Sequence, residues 1–131
     1  MGVRDFRELV AWQLVDELRQ EIIAFTSTPG ASRDFKYCNQ ILDAISSAGR
    51  NTAEGFGRFR PAEFARFLEF ARASLNEVQD LLIEGREKKH IDEARSERLW
   101  TLSQRALAAN VSLMKYQKKC AATGAKPWQK R

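Results

Sequence analysis

The sequence predicts an all-α fold, an antiparallel up-down-up-down four-helix bundle. Apolar residues recur at three and four residues in four separate stretches. The strong turn formers cluster between those stretches, and only 7 Gly and 3 Pro interrupt the 131 residues, too few for many short strands. The chain is also long enough to bury one core without disulfides or metals. Long helices joined by short loops bury their stripes most simply by lying antiparallel.

Helix 1 is expected over residues 6–26. Asp5 followed by Glu8 has the order of a capping-box variant. Ala11, Leu14, Val15, Leu18, Ile22 and Phe25 form its stripe, and Ser27-Thr28-Pro29-Gly30 ends it. Helix 2 is expected over residues 35–54, capped by Asp34 or Ser32, with Cys38, Ile41, Ile45, Ala48 and Thr52 on one face. Gly55-Phe56-Gly57 is expected to stop it by adopting positive φ.

Helix 3 opens at Pro61, a residue suited to the first helical position, and ends between Gly85 and Lys89. Its stripe of Phe64, Phe67, Leu68, Ala71, Leu75, Val78 and Leu82 falls within about 100° of arc. Helix 4 runs over residues 92–121, capped by Asp92, with Leu99, Leu102, Ala106, Leu113 and Cys120 on its main face. Residues 1–122 are read as the bundle domain and 123–131, with Gly124 and Pro127, as a flexible basic C-terminal tail.

Leu9, Trp12 and Ile23 lie off the stripe of helix 1, as do Trp100, Leu107, Val111 and Met114 on helix 4. A monomeric bundle would expose many of them, so self-association is expected; a wide core that absorbs them is the alternative.

Composition excludes several classes. With 44% hydrophobic and 30% charged residues, the chain reads as globular and not as disordered. No apolar run is long enough to span a membrane and no secretory signal is visible, so the expected compartment is the cytoplasm. Cys38 and Cys120 lack ligand spacing and read as buried apolar residues.

The formal net charge is +5, but it is unevenly placed. Lys115, Lys118, Lys119, Lys126, Lys130 and Arg131 occupy the last 17 residues, which hold no acid, while residues 1–114 have a net charge of −1. Such a basic end meets anions such as nucleic acid, or only keeps the protein soluble.

Catalytic chemistry finds little support. The one histidine, His90, falls in a turn and reads as solvent-exposed. Glu87 and His90 form a single E-x-x-H, whereas di-iron bundles need two and further carboxylates, so no metal site is expected. Gly55-Phe56-Gly57-Arg58 lacks the ending of a phosphate loop and follows a helix, so no cofactor is expected.

A polar seam carries more information. Gln40, Ala44, Ser47, Asn51 and Glu54 form a nearly uncharged line on helix 2, opposite Glu63, Phe70, Ser74, Glu77 and Leu81 on helix 3. A hairpin turning near Arg58–Phe59 would bring Gln40 to Glu77 or Ser74. The seam either fixes register, lines an oligomer contact or forms a binding groove. The turn that follows, with Phe56, Arg58, Phe59 and Arg60, can stack on bases or dock on a neighbouring subunit.

At these residues the chain resembles a known family, the small four-helix-bundle proteins whose genes lie within intervening sequences of bacterial 23S ribosomal RNA genes. The likeness covers residues 6–117. It rests on Phe6-x-x-Leu9-x-x-Trp12-Gln13, Gln40-Ile41 and Asn51-Thr52-Ala53-Glu54-Gly55-Phe56-Gly57-Arg58. Glu63-Phe64-x-x-Phe67-Leu68 and Ala71-Arg72-x-Ser74-Leu75-x-Glu77 complete it. The resemblance implies an antiparallel bundle assembled as a ring-like homopentamer. A more distant similarity is to the accessory variability protein of diversity-generating retroelements, a basic pentamer associated with nucleic acid. The likeness singles out Trp12, Gln40, Asn51, Glu54, Gly55, Arg58, Ser74 and Glu77 as motif or interface residues.

The expected function is a non-enzymatic homo-oligomeric scaffold that binds RNA or DNA through Arg98, Arg105, Lys115, Lys118, Lys119, Lys126, Lys130 and Arg131. The alternative is a protein–protein interaction module without nucleic-acid binding. The expected partners are therefore further copies of the chain, RNA or DNA, or another protein, and not a membrane.

Overall fold

The structure is a computed structural model that describes residues 2–124. It is all-α, with four helices and no strand among those residues: α1 (Val10–Thr26), α2 (Phe35–Gly57), α3 (Pro61–Glu87) and α4 (Glu93–Thr123). Among the described residues no helix is long and apolar enough to cross a membrane.

The first helix starts later than the sequence predicts. Asp5 caps a 3-10 turn at Phe6–Glu8 by accepting from Arg7 N at 2.8 Å. Glu8 reaches back to Arg4 N at 3.3 Å, and Leu9 is extended at φ −72°, ψ 127°. The break buries Leu9 in the core and sets Phe6 edge-on to Trp12, with ring centroids 5.2 Å apart. A continuous helix from Phe6 would have placed these side chains differently.

The end of α2 also differs from the expectation. Gly55 and Gly57 do not stop α2; they lie within it, and Phe59 takes the positive φ of 59°. At the end of α3, His90 N bonds Gly85 O at 2.8 Å and Lys89 N bonds Arg86 O at 3.0 Å, with Lys89 at φ 62°. This pair of bonds is a Schellman closure, built on a lysine where glycine is usual. Among the described residues, α4 alone is closed by a glycine at positive φ, Gly124 at 76°.

The expected faces of α2 and α3 are the buried ones. Cys38, Ile41, Ile45, Ala48 and Thr52 are buried, as are Phe64, Leu68, Ala71, Leu75, Val78 and Leu82. Of these, Cys38, Ile41, Ile45, Ala48, Leu75, Val78 and Leu82 meet Val15, Leu18, Ile22 and Phe25 of α1 and Leu99, Leu102 and Ala106 of α4 in one cluster. A second cluster gathers Val3, Leu9, Phe56, Phe64, Ala65, Leu68 and Met114 near the α2–α3 turn. Each fully buried Leu, Ile or Phe contributes about 1.5–3 kcal/mol. Both cysteines are buried and free.

The second cluster corrects the reading of surplus apolar residues. Leu9 and Met114 are core, Trp12 packs against the second cluster, and Trp100 and Leu107 pack against the first. Val111 is half-buried, and of that set Ile23 stays exposed. The wide core absorbs most of them.

A feature of α4 escaped the apolar pattern. Ser96, Ser103, Asn110 and Gln117 are buried at intervals of seven residues. Gln79 donates to Ser103 Oγ at 3.0 Å, and Asn110 Nδ2 donates to Leu68 O at 3.0 Å. No group of the described residues bonds Asn110 Oδ1 or Gln117 Oε1.

The loops meet at His90, which is not the exposed turn residue the sequence predicts. Its side chain is 14% exposed, its Nε2 lies 3.0 Å from Asp34 Oδ2, and its ring stands edge-on to Tyr37. Asp34 also caps α2 by accepting from Tyr37 N at 3.2 Å and holds Lys88 at 3.5 Å. The His90 bond, then the Tyr37 N–H and Lys88, hold the Asp34 carboxyl below its ordinary range. A carboxyl lowered in the fold stabilises it above its unfolded value, about 3.9, and that gain is lost as pH falls through the lowered value. Asp34→Asn is therefore expected to be less stable than the parent at neutral pH, with the gap closing in acid. Denaturant titrations at both ends of that range check this; a gap independent of pH would contradict it.

Candidate nucleic-acid interface

From Arg98 to the end of α4 at Thr123 the helix carries five cations and no carboxylate. At 100° per residue, Arg98, Arg105, Lys115 and Lys119 fall within about 100° of arc. Their spread along the axis is about 30 Å at 1.5 Å per residue. All four are exposed, because the opposite face carries the buried Leu99, Ala106 and Cys120. Lys118 lies on the other flank.

Two of the five cations are engaged. Arg98 pairs with Glu21 of α1 at 3.2 Å, and Lys118 with Glu69 of α3 at 3.3 Å. Both pairs are more than a third exposed, so each is worth about 0–1 kcal/mol and yields readily to a phosphate. No ion pair holds Arg105, Lys115 or Lys119 among the described residues. Arg98 and Arg105 line a groove of about 420 Å³ against Glu17, Glu21 and Glu97, so the potential is more uniformly positive toward Lys115 and Lys119. Lys126, Lys130 and Arg131 lie outside the described residues.

The motif residues divide between two faces. On the α2–α3 face, Ser74 Oγ donates to Ser47 Oγ at 2.9 Å, and Asn51 Nδ2 donates to Ser47 O at 2.9 Å. The expected approach of Gln40 to Glu77 or Ser74 is not formed. Ser47 meets Ser74 four residues farther along α3 than the expected register places it, and both Gln40 and Glu77 are exposed. α2 continues through Gly57 to a loop at residues 58–60, where the sequence places the turn, so the offset lies in how the two helices pack and not in the position of the turn.

Gly55 explains that continuation. A Cβ there would lie 2.8 Å from both Phe64 Cδ1 and Phe67 Cβ, so the glycine permits close contact between the helices. Gly55→Ala is expected to destabilise the fold by about 1–3 kcal/mol, as overpacking does, read as a lower denaturation midpoint. Next to it Arg58 pairs with Glu54 at 3.0 Å and stands 4.9 Å from the Phe67 ring centroid. Phe67 and Phe70 are edge-to-face, and Arg66 lies over Phe70. These arginines therefore already face aromatic rings of their own chain.

Trp12 belongs to another place, the groove between α1 and α2, beside Gly49. No group of three or more His, Cys, Asp and Glu side chains gathers to hold a metal among the described residues. The Cys38 thiol is pushed up by burial and bonds Ala31 O at 3.2 Å, which makes it a poor nucleophile.

These features define a small all-α protein with a one-sided basic helix and a polar helix seam. The chain belongs to the 23S rRNA-intervening sequence protein family, whose profile matches residues 7–110. No curated protein matches it. The family span contains Arg98 and Arg105 and ends before the lysines at the end of α4.

Proposed function

We propose that this chain is a non-enzymatic homo-oligomeric scaffold that binds RNA or DNA through the outward face of α4. The carboxylate-free course of α4 beyond Glu97 carries this reading, because it sets cations in a row with no acid of their own helix to offset them. Phosphates spaced along a strand suit such a row, and their released counterions supply the affinity.

Antiparallel packing of the four helices is part of the proposal. Tyr37, near the start of α2, bonds Leu81 O near the end of α3, while Gly55 sits against Phe64 and Phe67 at the opposite ends. Self-association is supported by Ile23, Phe59 and Phe70, which stay 40%, 65% and 43% exposed. A closed ring, the five-membered one that the family resemblance implies, would repeat α4 around its circumference. Repetition raises avidity without any new contact.

Native mass spectrometry of the intact protein, alone and with a 30-nucleotide RNA, tests the two halves together. The expected spectrum shows one multi-subunit species that gains the mass of the RNA at low ionic strength. A monomer that takes up no RNA would overturn the proposal. Exposed Phe59 also favours a second reading, a module that docks another protein. Capture of a partner that survives nuclease treatment would favour that reading.

A further inference from the structure

Trp12 was singled out by the sequence, yet neither the basic face nor the polar seam uses it. It lines a groove of about 370 Å³ between α1 and α2, within the size range of small-ligand sites. The apolar lining comes from Phe6, Trp12, Val15, Gly49 and Ala53. Gly49 leaves room there: a Cβ would meet only Val15 Cγ1 at 3.7 Å and Trp12 Nε1 at 3.9 Å, both ordinary contacts. The indole N–H of Trp12 thus lies beside the open floor, and it has no hydrogen-bond partner among the described residues.

The polar lining is mostly donors. Arg19, Arg50 and Ser46 line the groove with Trp12. Its one carboxylate, Asp16, is already held by Arg19 at 2.6 Å. Arg50 is largely free: its side chain is 64% exposed and its contact with Asp43 is 3.9 Å. An aromatic floor, a lone N–H and an available guanidinium favour a planar ring that carries negative charge.

We infer that the α1–α2 groove binds a nucleotide, with the base against Trp12 and Phe6 and the phosphate on Arg50. The site is separate from the α4 face, since none of its lining belongs to α4. It therefore stands whether or not α4 binds nucleic acid.

The test is titration of the full-length protein with adenosine 5′-monophosphate, followed by tryptophan fluorescence. Quenching is expected in the parent, to be absent in Trp12→Phe and to weaken at least tenfold in apparent affinity in Arg50→Gln. Gly49→Leu, which fills the floor, should also abolish it. Arg50→Gln alters an exposed side chain and keeps the test sound if Gly49→Leu fails to fold. Arg105→Gln/Lys115→Gln/Lys119→Gln should retain the quenching, which separates this site from the α4 proposal. Equal affinity for adenosine would remove the phosphate subsite, and equal competition by inorganic phosphate would remove the base subsite; either result overturns the inference. So does an absence of quenching in the parent at millimolar nucleotide.

Discussion

Gly85→Ala is expected to destabilise the protein by about 3 kcal/mol, at the upper end of the usual cost of overpacking. A Cβ at Gly85 would collide with the Tyr37 hydroxyl and lie 3.0 Å from Tyr37 Cζ. An exposed tyrosine would swing aside. Tyr37 cannot do so cheaply, because it is 2% exposed, donates to Leu81 O and lies between the Phe25 and His90 rings. Burial also pushes its phenol far above the ordinary value, so it remains a donor throughout the working pH range. Tyr37→Phe removes the atom that collides first. The double variant Tyr37→Phe/Gly85→Ala should therefore lose less stability than the sum of the two single variants. Denaturant unfolding of all four proteins reads the coupling, and strict additivity would show that Tyr37 is free to move.

Asn110→Leu combined with Gln117→Met is expected to act in the opposite sense and stabilise the fold by about 2 kcal/mol. A buried polar atom without a partner costs about 1–3 kcal/mol. Asn110 and Gln117 are 1% and 2% exposed, and each leaves its side-chain carbonyl oxygen without a protein donor. Leu keeps the branching and heavy-atom count of Asn, Met is an unbranched chain like the stem of Gln, and neither carries such a group. The bond lost from Asn110 to Leu68 O exposes no new orphan, since that carbonyl lies inside α3 and accepts within the helix. A lower denaturation midpoint in the double variant would mean that this polar heptad is an energetic support of the core. If the midpoint rises while the proposed oligomer no longer gives a single mass, the heptad serves specificity at a cost in stability.

These two sites mark where reading the sequence stops. The faces of α2 and α3 were legible because their burial follows the helical period, and the residues named for α2 are all buried. The α4 heptad was not, because a scan for apolar residues discards Ser96, Ser103, Asn110 and Gln117; their sevenfold spacing was the available signal. Helix ends were misread at Gly55 because a glycine within a helix can serve close approach as readily as termination. Phe59 and Lys89 take the positive φ instead, and nothing local in the sequence marks them. Gln40 does not reach Glu77 although the turn falls where the sequence places it, because the helices pack with Ser47 against Ser74. His90 became covered through Asp34, 56 residues away, a pairing set by the fold alone. The cations of α4 were legible as composition, but their shared face and their engagement by Glu21 and Glu69 required neighbouring helices.

The outward face of α4 is best tested by the salt dependence of RNA binding, measured by fluorescence anisotropy with a labelled 30-nucleotide single strand. The parent should lose affinity steeply, with log K falling linearly against log salt. In Arg105→Gln/Lys115→Gln/Lys119→Gln, three phosphate contacts are removed per engaged subunit. At about 0.7 per phosphate on a single strand, the slope should flatten by about 2 for each subunit engaged, and affinity at low salt should fall at least tenfold. A parent that binds with no salt dependence, or a triple variant with the parent's slope and affinity, would contradict the assignment of RNA to this face.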